Sequence, residues 1–333
     1  MRQTLRLVWL LSVLSLSCER GPAVTLARGA LALTVQLPAL YPETIEYDAT
    51  RGKFLVGSFR QGAIYVVDDQ GATSPLVTDP RLCSVLGIAV DAQRGRLWAV
   101  SSDLGASIKP SSAGPKHLAF VGEYELSTGK PLAYADLAPL VPGNHLLNGL
   151  ALDTAGNAYV TDSFSPLIYK VSAAGNASVF LHSAEFEGDG INLNGLVVHP
   201  DGYLLVVKKS DGALFKVPLA TPSAFTRVKL DRPLLAGDGL VLVGKSDLLV
   251  VANQTPNAKP NAVFTLTSSD GWASARPGAT LPLGNVYPTT AVLREQKIYV
   301  VHSQLNQLIQ APPPQKSGFQ ARAMIEEVAR VVH

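Results

Sequence analysis

Two stretches of this chain, Asn148-Gly-Leu-Ala-Leu-Asp153 and Asn194-Gly-Leu-Val-Val-His199, follow one pattern, and related phrases occur six times along the sequence. Each phrase leads into a second apolar run that ends in small or polar residues, as at 158–162 and 204–208. A repeat of this length, made of short β-rich segments, is typical of the blades of a propeller. The 333-residue chain is long enough to form such a ring as one domain.

The third and fourth repeats each predict four strands with Gly, Asn and Asp in the turns between them. In the fourth repeat, residues 227–230 are the expected outer strand. The sixth repeat lacks a complete set of strands, and a lone terminal strand would leave an unpaired edge. We therefore expect the segment near 31–37 to complete the last blade. Residues 321–332 contain good helix formers, but ring closure favours a strand there.

These observations predict an all-β fold, a six-bladed β-propeller with four-stranded blades whose ring is closed by an N-terminal strand. The expected organisation is an export signal at 1–18, a linker at 19–29 and the propeller at 30–333. The signal has a basic start, Arg2 and Arg6, before an apolar stretch that is short for a membrane span.

Cys18 lies directly after this stretch and resembles the lipidated cysteine of bacterial lipoproteins. Ordinary secretory cleavage nearby is the alternative. Either way we expect an exported protein, which is a periplasmic or cell-envelope lipoprotein or is otherwise secreted. Membrane attachment is expected only through a lipidated Cys18.

The charge balance argues against polyanionic partners. The chain carries 28 basic and 26 acidic residues, for a formal net charge of +2. Nucleic acid is therefore not an expected partner, and neither is an anionic membrane surface. A small-molecule substrate is the partner that remains.

The opening residue of each phrase should lie at the same height around the central axis. Read in order, these residues are Glu43, Leu86, Asn148, Asn194, Asp238 and Thr289. Two carboxylates and two amides form an all-oxygen donor set that suits Ca²⁺, with Mg²⁺ a weaker possibility and Zn²⁺ disfavoured. The alternative is that Asn and Asp at strand starts only hydrogen-bond to turn backbone. However, buried carboxylates at a channel mouth are costly without a cation.

The same quartet, with Tyr159-Val-Thr-Asp-Ser-Phe and Tyr287-Pro-Thr-Thr, resembles the SMP-30/gluconolactonase/LRE family over roughly residues 39–333. That family belongs to the calcium-dependent phosphotriesterase-like propellers, with diisopropylfluorophosphatase and the paraoxonases as relatives. The resemblance implies that Glu43, Asn148, Asn194 and Asp238 hold a catalytic Ca²⁺. It also implies that Asp238 is the general base or nucleophile in hydrolysis of a lactone, ester or organophosphate-like substrate.

One departure from the family concerns the substrate. Sugar-lactone hydrolases of the family have an Arg two residues before the third-blade Asn, and this chain has Leu146 there. An apolar lactone or ester is therefore favoured over a polyhydroxylated one. Further substrate-binding candidates on the mouth side are His145, Asp162, Lys208, Asn253 and His302.

Two other functions stay open at this point. The first is a non-catalytic binding propeller in which Ca²⁺ only rigidifies the channel. The second is a strictosidine-synthase-like lyase, since such enzymes share the six-bladed fold. They lack the metal quartet, so the quartet argues against this reading.

Overall fold

The computed structural model describes residues 24–310 and 323–332, and nearly all of its regular structure is β-strand. The predicted export signal, Cys18 and the first part of the predicted linker lie outside these residues. Within the described ranges, no helix combines the length and apolar content needed to cross a bilayer.

The first three blades are antiparallel sheets of four strands in simple sequence order. Their strands are β2 (Pro42–Asp48), β3 (Lys53–Ser58), β4 (Ala63–Val67) and β5 (Thr73–Val77); β6 (Ser84–Asp91), β7 (Arg96–Ser102), β8 (Phe120–Glu125) and β9 (Pro131–Asp136); β10 (Leu147–Leu152), β11 (Ala158–Asp162), β12 (Leu167–Val171) and β13 (Ala177–His182). The first-named strand of each blade lies innermost, at the axis of the ring.

The other three blades repeat this order with two variations, an extra strand in the fifth blade and a sixth blade built from both ends of the described chain. Their strands are β14 (Leu193–His199), β15 (Tyr203–Lys208), β16 (Leu214–Pro218) and β17 (Thr226–Arg227); β19 (Gly237–Leu242), β20 (Asp247–Ala252), β21 (Ala262–Thr267) and β22 (Ser274–Pro282), with β18 (Lys229–Leu230); β23 (Pro288–Arg294), β24 (Lys297–His302), β25 (Met324–Val332) and β1 (Val24–Thr34). The predicted six-bladed propeller of four-stranded blades is confirmed.

Helix is confined to short segments within the described residues. Three 3₁₀ turns lie at Ala138–Leu140, Ala184–Phe186 and Pro222–Ala224, and one α-helix, α1, spans Leu305–Gln310. Residues 103–117, between the second and third strands of the second blade, are rich in Gly, Ser, Lys and Pro and contain no strand or helix.

Ring closure by the N-terminal strand is also confirmed. β1 pairs antiparallel with β25, and Leu26 and Val328 are buried in one apolar cluster. Arg28 donates to both carboxylate oxygens of Glu326, at 2.5 and 2.7 Å. β1 begins at Val24, so the later part of the predicted 19–29 linker is paired strand. Residues 324–332 form strand β25, which excludes the alternative helix there.

The outer edge of the fourth blade differs from the prediction. Residues 227–230 do not form one strand, because β17 stays in the fourth blade while β18 pairs parallel with β22 of the fifth. Val228, between them, is 3% exposed and buried in the same apolar cluster as Trp272. Burial of this side chain turns the chain toward the next blade.

A glycine follows the opening residue in four of the six phrases, and the close approach of the next inner strand requires it at Gly149 and Gly195. A Cβ added to Gly195 would lie 2.2 Å from the backbone oxygen of Asp238, and one on Gly149 would lie 2.5 Å from that of Asn194. Neighbouring inner strands therefore approach each other backbone to backbone. This close approach sets the six opening residues around a narrow axis.

Substitution of Gly195 tests this packing. We expect Gly195→Ala to lower the free energy of unfolding by about 2–3 kcal/mol, because the added methyl meets fixed backbone. The matched control is Gly244→Ala, where an added Cβ has no atom within 4 Å; it should change stability by less than about 1 kcal/mol. Urea unfolding midpoints measure both, and equal midpoints would contradict the close-approach explanation.

Candidate functional site

The six opening residues meet at one cavity on the propeller axis. Its volume is about 330 Å³, and its lining includes Glu43, Leu86, Asn148, Asn194, Asp238 and Thr289. All six side chains are buried, at 2–9% exposure. The structure therefore brings the quartet named from the sequence to one place.

A local irregularity in each inner strand occurs where these side chains lie. The ladder between first and second strands shifts register in all six blades, for example between Leu147 and Leu150 and between Leu193 and Leu196. In every blade the opening residue lies inside the shifted segment. Bulges of this kind re-aim side chains, and here they accompany six side chains that line the axis.

The two carboxylates of the quartet have unequal surroundings. Asp238 accepts hydrogen bonds from the side-chain amide of Asn253 and from Asn194, and Nζ of Lys209 lies 3.3 Å from its Oδ2. Oε2 of Glu43 is buried and has no hydrogen-bond partner among the residues that the structure describes. Asp238 is thus well supplied with donors, whereas Glu43 has an unsatisfied oxygen.

The electrostatics of this pair follow from burial. Desolvation raises the pKa of Glu43 well above its usual range, the nearby Asp238 charge adds to this, and Lys209 opposes it. Desolvation also raises the pKa of Asp238, and Lys209 offsets part of that rise. Burial opposes the charge of Lys209, but Asp238, Tyr287 and Glu43 outweigh it, so the pKa of Lys209 is raised. Both carboxylates favour a nearby positive charge.

Lys209, which contacts the quartet, is not among the residues that the sequence pattern singled out. It is 4% exposed and follows the last residue of β15, Lys208. Asn253 occupies the equivalent place, one residue beyond β20, and Ser163 one beyond β11. Ser163 accepts from the amide of Asn148 at 3.1 Å, so this position surrounds the quartet in three blades. Aligning the second strands on Asn253 would have identified Lys209.

Asp162 and His145, both predicted as substrate contacts, are hydrogen-bonded to each other. Oδ2 of Asp162 lies 2.7 Å from Nδ1 of His145, and its Oδ1 accepts from backbone N–H groups of the neighbouring loop. Both side chains are buried, and neither lines the axial cavity. Because side chains alternate along a strand, a shift of one residue from Ser163 turns Asp162 away from the axis.

Lys208 and His302 lie off the axis for the same reason. Nζ of Lys208 donates to the backbone oxygens of Glu185 and Glu187 and to Asp211. Nε2 of His302 lies 3.0 Å from Glu326, in the ring-closing blade. Of the five predicted substrate contacts, Asn253 is the one bonded to the quartet.

Lys208 and Lys209 also line a second cavity, which we call the cleft. It has a volume of about 630 Å³ and lies among the segments 187–191, 208–211 and 254–257. Three acidic residues contribute to its lining: Glu187, Asp189 and Asp211. Lys209 therefore stands between the cleft and the quartet.

Leu86, which lines the axial cavity, is also part of an apolar core cluster. Leu86 and Leu146 belong to one buried cluster, which also contains Leu305 and Leu308 of α1. The segment before α1 is anchored by hydrogen bonds from the backbone N–H groups of Ser303 and Gln304 to the 286–287 loop. Leu146, where related sugar-lactone hydrolases are expected to have Arg, is 1% exposed within this cluster.

The donor set fits a calcium ion better than a transition metal. Within the described residues, no group of three His, Cys, Asp or Glu side chains could hold a metal. The quartet differs because half of its donors are amide oxygens, which Ca²⁺ accepts alongside carboxylates and waters. The unpartnered Glu43 oxygen is the observation in favour of a cation. Within residues 24–310 and 323–332, the Lys209 ammonium is the positive charge that competes at Asp238.

Comparisons with known proteins support the fold. No protein-family model matches the chain, and no curated protein matches it in sequence at a significant level. The allergen Mala s 1 of Malassezia sympodialis is 20% identical with a TM-score of 0.70, covering 90% of this chain and 96% of the allergen.

Two enzymes are similar in structure at lower identity. A gluconolactonase from Xanthomonas campestris is 12% identical with a TM-score of 0.58, covering 90% of this chain and 89% of its own. Virginiamycin B lyase from Staphylococcus aureus is 11% identical with a TM-score of 0.58, covering 92% of this chain and 100% of its own. At these low identities the structural similarity shows a shared fold alone, and one fold can carry different chemistries.

Glu46, which also lines the axial cavity, gives a pH-dependent prediction. Burial raises its pKa from 4.5 to about 7. The unfolded chain loses this proton near pH 4.5 while the folded protein keeps it until about pH 7, so stability falls as pH rises through that window. The stability of Glu46→Gln relative to the wild type should rise by about 1.4 kcal/mol per pH unit there. Urea unfolding at pH 5, 6 and 7 measures this, and a constant difference would contradict it.

Proposed function

We propose that this chain is an exported, calcium-dependent hydrolase of the SMP-30/gluconolactonase type, acting on a lactone, ester or organophosphate-like small molecule. The observation that carries the proposal is the convergence of four oxygen-bearing side chains, from four blades, on one buried axial cavity. A pair of buried carboxylates, one with an unsatisfied oxygen, favours a bound cation.

Glu43, Asn148, Asn194 and Asp238 would hold the ion, with water completing its ligands. Bound there, Ca²⁺ supplies a Lewis acid that polarises a carbonyl or phosphoryl oxygen and stabilises the charge developing on it. Asn253 and Asn194 orient the Asp238 carboxylate through hydrogen bonds. Asp238 then either takes a proton from the attacking water or attacks the substrate directly.

The absence of an Arg at Leu146 favours an apolar substrate. Leu146 is 1% exposed within an apolar cluster that also contains Leu86, so this position offers a polyol no hydrogen bond. An aryl ester or an alkyl-substituted lactone is therefore favoured over a sugar lactone.

A non-catalytic binding propeller is the second candidate. The observation that favours it is Lys209, which already supplies a positive charge to Asp238. A lyase is a third candidate, since virginiamycin B lyase shares the fold. Neither alternative requires hydrolysis that depends on a divalent cation, and this separates them from the proposal.

Hydrolysis with and without chelator tests the reaction. The purified protein should hydrolyse members of a panel of aryl esters, alkyl lactones and phosphotriesters, and EDTA should abolish this until Ca²⁺ is restored. Asp238→Asn should lower kcat by about 10²–10⁴-fold, because it removes the base or nucleophile. Thr289→Val, at the same height in the ring, should retain activity. Activity that survives both EDTA and Asp238→Asn would refute the proposal.

Calcium binding is tested separately from turnover. Elemental analysis should find about one Ca²⁺ per chain after dialysis against Ca²⁺. Calcium at a hundred times its Kd should stabilise the fold by about 2.7 kcal/mol, seen as a higher melting temperature. Asn148→Leu should lose this shift and Thr289→Val should keep it. An absent shift in the wild type, with no Ca²⁺ by elemental analysis, would count against the quartet as a calcium site.

A further inference from the structure

The position of Lys209 raises a problem of charge at the axis. Its ammonium lies 3.3 Å from Oδ2 of Asp238, and both side chains are at least 96% buried. The Glu43 carboxyl, 9% exposed, is near enough for its charge to act on Lys209. The three groups form a buried cluster of two acids and one base.

Formal charges indicate that this cluster disfavours holding a divalent metal ion and the Lys209 ammonium at the same time. Two carboxylates and a divalent cation sum to zero, and a Lys209 ammonium beside them makes the sum +1. A buried net charge is disfavoured by desolvation, so with the cation bound the favoured arrangement is the neutral one, in which Lys209 has left.

The cleft can accept the Lys209 ammonium. Lys209 lines the cleft as well as contacting Asp238, and the flexible four-carbon side chain of a lysine can rotate from one to the other. Glu187, Asp189 and Asp211 contribute negative charge to the cleft. Asp211 already binds Lys208 at 3.2 Å, which leaves the other two to face a second ammonium.

We propose that Lys209 is a built-in competitor for the divalent cation. It compensates Asp238 when the quartet holds no metal, and cation binding displaces its ammonium from the axis into the cleft. This inference rests on the proposed function, because it takes the quartet as the cation site. Lys209 would then lower the affinity of the quartet for the divalent cation. When the cation binds at the axis, the cleft would gain the positive charge of the Lys209 ammonium.

Substitution by methionine tests the competition. Lys209→Met keeps most of the side-chain volume and removes the charge. Calorimetric titration of the chelator-treated protein with CaCl₂ should show binding at least tenfold tighter for Lys209→Met than for the wild type. The charge-matched control is Lys245→Met, whose side chain is 66% exposed and pairs with Asp201; its affinity should stay within twofold of the wild type.

Each outcome of the titration decides something. If the wild type binds Ca²⁺ and Lys209→Met binds it no tighter, competition is refuted while the calcium proposal stands. If only Lys209→Met binds, Lys209 has replaced the metal in the native protein, so competition stands and calcium dependence falls. If neither binds, both fail. Circular dichroism spectra that match the wild type establish that the variant is folded.

A second measurement needs no variant. Acetylation with acetic anhydride, followed by peptide mass spectrometry, reports how accessible each lysine is. Lys209 should react at least fivefold faster with saturating Ca²⁺ than without, because its ammonium has moved into the open cleft. Lys208, which is also buried and bonded to loop carbonyls, should react equally in both conditions. Equal protection of Lys209 in both conditions would overturn the displacement.

Discussion

The close backbone approach of neighbouring inner strands, at the glycine that follows the opening residue in four blades, is the constraint on which the site depends. A Cβ on Gly195 would fall 2.2 Å from the carbonyl oxygen of Asp238, so these two strands have no room for a side chain at that position. The ladders shift register at the same level, in all six blades. Together these features set six side chains around a cavity of about 330 Å³. In a wider ring, water would solvate these groups, and burial would not raise the pKa values of the two carboxyls.

Because the axial cavity is narrow, the carboxyl groups of the site are buried with little water to solvate their charges. Glu43 and Asp238 lose their hydration, and burial raises the pKa of both. Desolvated carboxylates need a proton, an ammonium or a metal ion. Lys209 meets part of that need, and Oε2 of Glu43 stays unsatisfied. A divalent cation would therefore change the charge balance of the site. The propeller fold is shared with other proteins, but this group of charged side chains belongs to this chain.

Much of the architecture was predictable because the repeat reports directly on strand order. The phrase beginning at Asn148 and its five counterparts identified the blades, the ring closure and the shared height of the quartet. The residues around the quartet were harder to predict. Asp162 and Lys208 end their strands as the pattern suggests, but the side chains that reach the quartet are one residue further on, at Ser163 and Lys209. A slip of one residue turns a side chain to the other face, and apolar runs alone do not fix where a strand ends.

A crystal structure of the protein soaked in CaCl₂, with anomalous difference density, would show both whether the quartet holds a divalent cation and where the Lys209 ammonium lies. We expect one peak about 2.3–2.6 Å from oxygens of Glu43, Asn148, Asn194 and Asp238, with the Lys209 ammonium turned into the cleft. An axial cavity with no peak and with Lys209 still paired to Asp238 would contradict this expectation.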